Sequence, residues 1–129
     1  MSKIFILLWM LFNHVIDDYW LQGILASMKQ TSWWKENTNT EDYELYRYDY
    51  IMALIMHSIS WTFMIMLPAA VSVNFKVNGI FLCVFILNTA FHGLVDHLKA
   101  NEKAINLVTD QTLHIIQILV TFTLACINV

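Results

Sequence analysis

Three segments of the chain carry a histidine and an aspartate four residues apart: His14 with Asp18, His92 with Asp96, and Asp110 with His114. Imidazole and carboxylate together are the ligand set of Zn²⁺, Mn²⁺ and Fe, and a separation of four keeps both groups on one face of an α-helix. Longer polar stripes run through the pairs. Asn88, His92, Asp96 and Lys99 follow at intervals of four, four and three, and Asn106, Asp110, His114 and Gln117 repeat those intervals. His14, Asp18 and Gln22 form a third stripe, and His57 stands alone in an apolar segment.

The elements that must position these groups follow from composition. Of 129 residues 58% are hydrophobic and 13% charged, with one proline and three glycines, which is far more apolar than a soluble domain of this length requires. A membrane protein is therefore expected, as a single domain over residues 1–129. The formal net charge of -3 offers no basic face, so nucleic acid is not expected as a partner. Cys83 and Cys126 both fall in apolar segments and read as packing residues rather than as a disulfide framework.

Runs of about 20 apolar residues match the hydrocarbon core of a bilayer. They predict an all-α bundle of four antiparallel transmembrane helices, over about residues 4–28, 49–73, 79–99 and 104–128. The first run resembles a secretory signal peptide as far as Phe12, but Asn13, His14, Asp17 and Asp18 follow where a small-residue cleavage site belongs, so a permanent helix is expected. Residues 29–48 are polar, with aromatic residues among the charges, as suits the headgroup level. Thr38 and Glu41 have the spacing of a capping box, which predicts a short surface helix starting there, with a plain connector as the alternative. Pro68 removes one backbone hydrogen bond near the end of the second helix.

Lys29, Lys35, Arg47, Lys99 and Lys103 fall on one side of this layout, against Lys3 and Lys76 on the other. The richer side is expected in the cytoplasm, which puts both termini on the opposite side and loop 29–48 at the cytoplasmic surface. With that topology the interior histidines and aspartates of all four helices map to one depth, in the cytoplasmic half. A carboxylate inside a membrane costs several kcal/mol unless paired, protonated, hydrated or metal-bound, so convergence at one level points to a site. The third and fourth helices have two possible registers. A hairpin pivoting on Lys103 levels His92 with His114, whereas a pivot on Asn101 levels His92 with Asp110.

The segments His14–Gln22 (HVIDDYWLQ), His92–Lys99 (HGLVDHLK) and Asp110–His114 (DQTLH), together with His57, resemble the signature of small bacterial and phage membrane proteins grouped as domain of unknown function 3307. That family has a small residue where this chain has Asp17, so Asp18 is the aspartate matching the motif. The resemblance implies a small multi-pass protein of the bacterial inner membrane and brings no established activity. A looser likeness in layout, to bacterial membrane-bound metal-dependent hydrolases, favours a metal by analogy.

The expected ligands of a divalent ion are His14, Asp18, His92, Asp96, Asp110 and His114, with Zn²⁺ first and Mn²⁺ or Fe as alternatives. His57 is a further ligand, a catalytic acid or base, or a hydrogen-bonding group within the bundle. Lys99 and Gln22 are candidate substrate contacts, Lys99 for a phosphate above the ion, although snorkelling to the headgroups also accounts for it. His97 reads as a solvated turn residue, and Asp17 as facing a neighbouring helix. Three functions fit. The first is metal-dependent hydrolysis of a lipid-linked ester or phosphoester at the cytoplasmic leaflet. The second is transport or sensing of a divalent cation or protons, for which four helices would need a homo-oligomer. The third is a non-catalytic module whose His–Asp pairs specify the bundle and whose first loop recruits a partner.

Overall fold

The structure is a computed structural model that describes the backbone of residues 1–127 and side chains as far as residue 125. Among the described residues it is all-helical, without strands, and four helices are long and apolar enough to cross a membrane, as a multi-pass membrane protein requires. Helix α1 spans Lys3–Ile16 and continues as a π-helical turn over Asp17–Leu21. Three short helices follow, α2 (Leu25–Met28), α3 (Thr31–Asn37) and α4 (Tyr43–Tyr46). The long helices α5 (Asp49–Ser72), α6 (Gly79–Ala100) and α7 (Leu107–Ile127) complete the chain.

Local chemistry sets these boundaries. Ser2 Oγ accepts from the Phe5 amide at 3.2 Å, Asn78 Oδ1 from Phe81 at 3.0 Å and Asn106 Oδ1 from Thr109 at 2.9 Å, so each of α1, α6 and α7 opens on a polar cap. The cap at Asn106 starts α7 three residues later than the expected Ala104, and it makes Asn106 a helix terminator rather than a member of the polar stripe. The expected end of that helix at Asn128 lies outside the described residues. The first helix ends at Leu21 instead of about residue 28. Its last turn is π-helical, closed by the Gln22 amide on the Asp17 carbonyl, and Gly23 then takes a left-handed φ of 51° that ordinary residues avoid. Thr38 does not open a helix. Its hydroxyl donates to the Trp34 carbonyl at 2.5 Å and closes α3.

Helix α5 packs against α1, α6 and α7, while α7 touches both α6 and α1 and closes the ring. The pairings His14–Trp61 with Asn13–Met64, His57–His92 with Met66–Asn88, and Asp96–His114 with Asn88–Gln117 show that α1/α5, α5/α6 and α6/α7 run in opposite senses. Ile6, Met10, Ile65, Met66, Val84 and Ile118 fill the apolar half of the interior around the edge of Trp61. Large apolar side chains such as Ile4, Phe12, Leu87 and Val108 cover the outer faces, as lipid contact demands. Cys83 is exposed on that outer face and is no core residue, and the side chain of Cys126 lies outside the described residues.

Two contacts fix how closely the helices meet. Proline has no N–H to give, so Pro68 leaves the Met64 carbonyl without its helical donor, and Asn13 Nδ2 takes that place at 2.7 Å, tying α1 to α5. Gly93 lets α6 approach α5 at Ser58. A Cβ on Gly93 would lie 2.9 Å from Ser58 Oγ.

Candidate metal centre

Every interior histidine and aspartate lies in one buried cluster between α1, α5, α6 and α7. His14, Asp17 and Asp18 come from α1 and its π turn, His57 from α5, His92 and Asp96 from α6, and Asp110 and His114 from α7, all buried. Asp17 and Asp18 are neighbours in sequence, about 100° apart on an α-helix, yet both point inward. The wider π turn accommodates them, with Asp17 directed at α5 and Asp18 at the centre. The register between α6 and α7 is the one that pivots on Lys103, which itself adopts φ 53° in the hairpin. His92 and His114 are level and stack with ring centroids 4.2 Å apart.

Two sets of donors are close enough to hold a metal ion: Asp18, His57 and His92, and His92, Asp96 and His114. They share His92 and lie side by side, with His92 Nε2 3.9 Å from Asp96 Oδ2. His57 Nε2 is 3.2 Å from His92 Nε2, 3.5 Å from Asp18 Oδ1 and 3.4 Å from Asp96 Oδ2, and His114 Nε2 is 3.3 Å from Asp96 Oδ1. Metal–ligand bonds of 2.0–2.1 Å in a tetrahedron separate donors by about 3.3–3.5 Å. Two of these contacts, His57–His92 and His114–Asp96, are also within hydrogen-bonding reach, so the same groups can pair with one another or with an ion. Asp18 Oδ1 is buried with no hydrogen-bond donor among the described residues, as a ligand oxygen would be before it meets a cation.

The surroundings hold these donors in place. Asp17 Oδ2 faces His57 Nδ1 at 3.6 Å while Ser60 Oγ donates to Asp17 Oδ1 at 2.6 Å, so a carboxylate stands behind the imidazole on the side away from the shared donors. Trp61 is fully buried, stacks on His92 at 4.1 Å and donates its indole N–H to His14 Nδ1 at 2.9 Å. That bond occupies one ring nitrogen of His14. His14 and Asp110, both expected as ligands, stand outside the two metal-sized sets. His14 borders them through Asp18 at 3.5 Å, and Asp110 through His114 at 3.5 Å.

Two lysines reach the cluster. Lys99 Nζ donates to Asp110 Oδ2 at 2.7 Å, as its place on the polar stripe suggests. Lys29 was not expected there. It is only 7% exposed, and its Nζ donates to Asp96 Oδ2 at 2.6 Å and to Gln22 Oε1 at 3.0 Å. The early end of the first helix makes this possible, because the chain turns at Gly23 and brings residue 29 back over the cluster. Asn101 fixes it there, donating to the Lys29 carbonyl at 3.0 Å and accepting from the Thr31 amide at 2.8 Å. Gln111 spans Asp18 and Asp110, at 3.2 and 2.9 Å, and Gln22 Nε2 donates to the Asp18 carbonyl. Below the cluster, Gln117 and Thr121 both donate to Asn88 Oδ1, joining α6 to α7 as interhelical hydrogen bonds. His97 lies in the last turn of α6, half-buried against Tyr50 and 3.3 Å from Glu102, so it is part of the helix end and not a free turn residue.

A cavity of about 210 Å³, lined by Asp18, Gln22, Lys29, Asp96, Lys99 and Gln111, adjoins the donors. Tyr19 and Leu107, both largely exposed on the outer face, complete its rim. Comparison with family models, with curated proteins and with solved structures found no match. The resemblance carried by the sequence motifs rests on those motifs alone.

Proposed function

We propose that this chain is a metal-dependent hydrolase of the bacterial inner membrane, acting on lipid-linked esters or phosphoesters at the cytoplasmic leaflet. The observation that carries the reading is the pair of buried donor triads, Asp18–His57–His92 and His92–Asp96–His114, which share His92 and are each compact enough to hold one ion. Zn²⁺ suits three imidazoles and two carboxylates best, with Mn²⁺ and Fe as alternatives. When bound, such an ion lowers the pKa of its water towards neutrality and polarises a carbonyl or phosphoryl oxygen. Overall, the ester C–O or P–O bond breaks, the oxygen of water ends on carbon or phosphorus, and one proton passes to the leaving alcohol.

The chain's own residues divide the remaining work. His57, read from the sequence as ligand, acid or base, serves here as a ligand oriented by Asp17. Asp110 keeps one buried oxygen without a hydrogen-bond donor among the described residues, 3.5 Å from His114 Nε2, and is placed to take a proton. The cavity gives the substrate its way in from the polar end of the bundle, which the Lys and Arg distribution puts at the cytoplasm. Trp61 and the apolar half beneath it close the opposite side to water.

The test is elemental analysis of purified wild type beside His92→Ala and His114→Ala, in mild detergent without chelator, followed by assay of the wild type with lipid phosphoesters and esters. About one equivalent of Zn, Mn or Fe, lost in both variants while they stay helical, supports the centre. Folded protein free of metal would leave the His–Asp pairs a structural role. Bound metal without turnover of either substrate class would leave a metal protein that is not this hydrolase.

A further inference from the structure

The cluster is unbalanced in charge. Asp17, Asp18, Asp96 and Asp110 are buried together, and of these carboxylates the ammonium groups of Lys29 and Lys99 pair with Asp96 and Asp110. Buried carboxylates outnumber ammonium groups four to two, so the cluster offers a cation more anionic oxygens than the lysines occupy. Asp96, one of the residues that would hold an ion, is also the carboxylate that Lys29 holds at 2.6 Å. An ion there would share the charge of Asp96, and Lys29 would then gain from a further anionic partner.

The 210 Å³ cavity is where that partner fits. Lys29 and Lys99 line it together, with the amides of Gln22 and Gln111 and the ligands Asp18 and Asp96. Its volume corresponds to several water molecules at about 30 Å³ each. A neutral ester would leave Lys29 without a counter-charge, whereas Lys99 keeps Asp110. A phosphoryl group brings negative charge and several acceptor oxygens, enough to meet the ion and both lysines at once. We infer that the space between Lys29 and Lys99 is a phosphoryl-binding site, completed by metal loading, which makes a phosphoester the substrate class. This inference rests on the metal centre proposed above. The exposed Tyr19 and Leu107 at the rim allow the phosphoryl group to arrive either as a lipid headgroup or free in solution.

The experiment is titration of the Zn-loaded protein with inorganic phosphate, followed by calorimetry or ³¹P NMR, with zinc content measured on every sample. Lys29→Met and Lys99→Met remove one charge each, and Lys29→Arg keeps it. The expected result is phosphate binding by wild type and Lys29→Arg, weakened about tenfold or more in each Met variant that still holds zinc, and absent from metal-free protein. Lys99 is partly exposed, so Lys99→Met remains informative if Lys29→Met fails to fold. Parallel assays in nanodiscs with phosphatidic acid against phosphatidylcholine alone distinguish the sources. Displacement of inorganic phosphate by phosphatidic acid identifies a headgroup site, and undiminished phosphate binding identifies a site for free phosphate. One equivalent of zinc with no phosphate affinity, or with unchanged affinity in Lys99→Met, overturns the anion site and leaves the metal centre standing. Folded wild type that takes up no zinc overturns both.

Discussion

The two halves of the helical bundle hold together by different physics. At the end carrying Met10, Ile65 and Ile118 the helices meet mainly through apolar side chains, with a few uncharged hydrogen bonds such as Gln117 to Asn88 between them. In the other half, between the same four helices, the buried contacts are largely directional and centre on titratable groups. Lipid is as apolar as leucine, so the first half gains stability from close packing rather than from escape from water. The second half gains only if each charge finds its counterpart, since an isolated one costs several kcal/mol. One half therefore tolerates substitution by shape, and the other only by chemistry.

Substitutions can break this contrast in order of expected effect. Asp96→Asn should act most strongly, because it removes the carboxylate shared by Lys29, His57 and His114 and leaves a buried ammonium group with the Gln22 amide but no counter-charge. A loss of about 3–5 kcal/mol is expected on thermal unfolding in detergent, together with loss of bound metal by elemental analysis. Ile65→Ala, in the apolar half, should cost about 2–3 kcal/mol through the cavity it leaves, yet the metal stoichiometry should stay at the wild-type value. Equal metal loss in the two variants would end the division into halves. Gly93→Ala sits at the boundary, where the added methyl meets Ser58 Oγ and pushes α6 from α5. We expect about 1–2 kcal/mol of destabilisation and weaker metal retention during chelator titration, both partly restored in the double variant with Ser58→Ala. Asn13→Ala should be mildest, at about 1 kcal/mol, measured by unfolding, because it deprives only the Met64 carbonyl of its donor.

The polar half was more legible in the sequence than its details suggest. Fixed spacings of four on apolar helices carry their own geometry, so His92 with Asp96 and Asp110 with His114 each share one helix face wherever the helices end. Helices α5 and α6 lie within a residue of their expected bounds for the related reason that their apolar runs are long and uninterrupted. What escaped was set by backbone departures from the ideal helix. The π turn at Asp17–Leu21 and the left-handed Gly23 shorten the first span, and without that shortening Lys29 reads as a headgroup anchor. Gly23 was the available signal, a glycine inside an apolar run with a lysine six residues on. Trp61 had a signal as well, lying four residues after His57 and hence on its face. The α6/α7 register hinged on which loop residue takes the left-handed conformation, and no preference among Asn101, Glu102 and Lys103 was strong enough to decide it.

The long reach of the Lys29–Asp96 pair bears on how the protein is made. Asp17 and Asp18 emerge from the ribosome on the first helix, whereas their partners come later, Ser60 after 43 residues and Gln111 after 93. Lys29 likewise waits 67 residues for Asp96. During synthesis the first helix thus carries two carboxylates with only His14 of its own segment beside them, and it is a poor guest of the lipid until the later helices supply Ser60, His57 and Gln111.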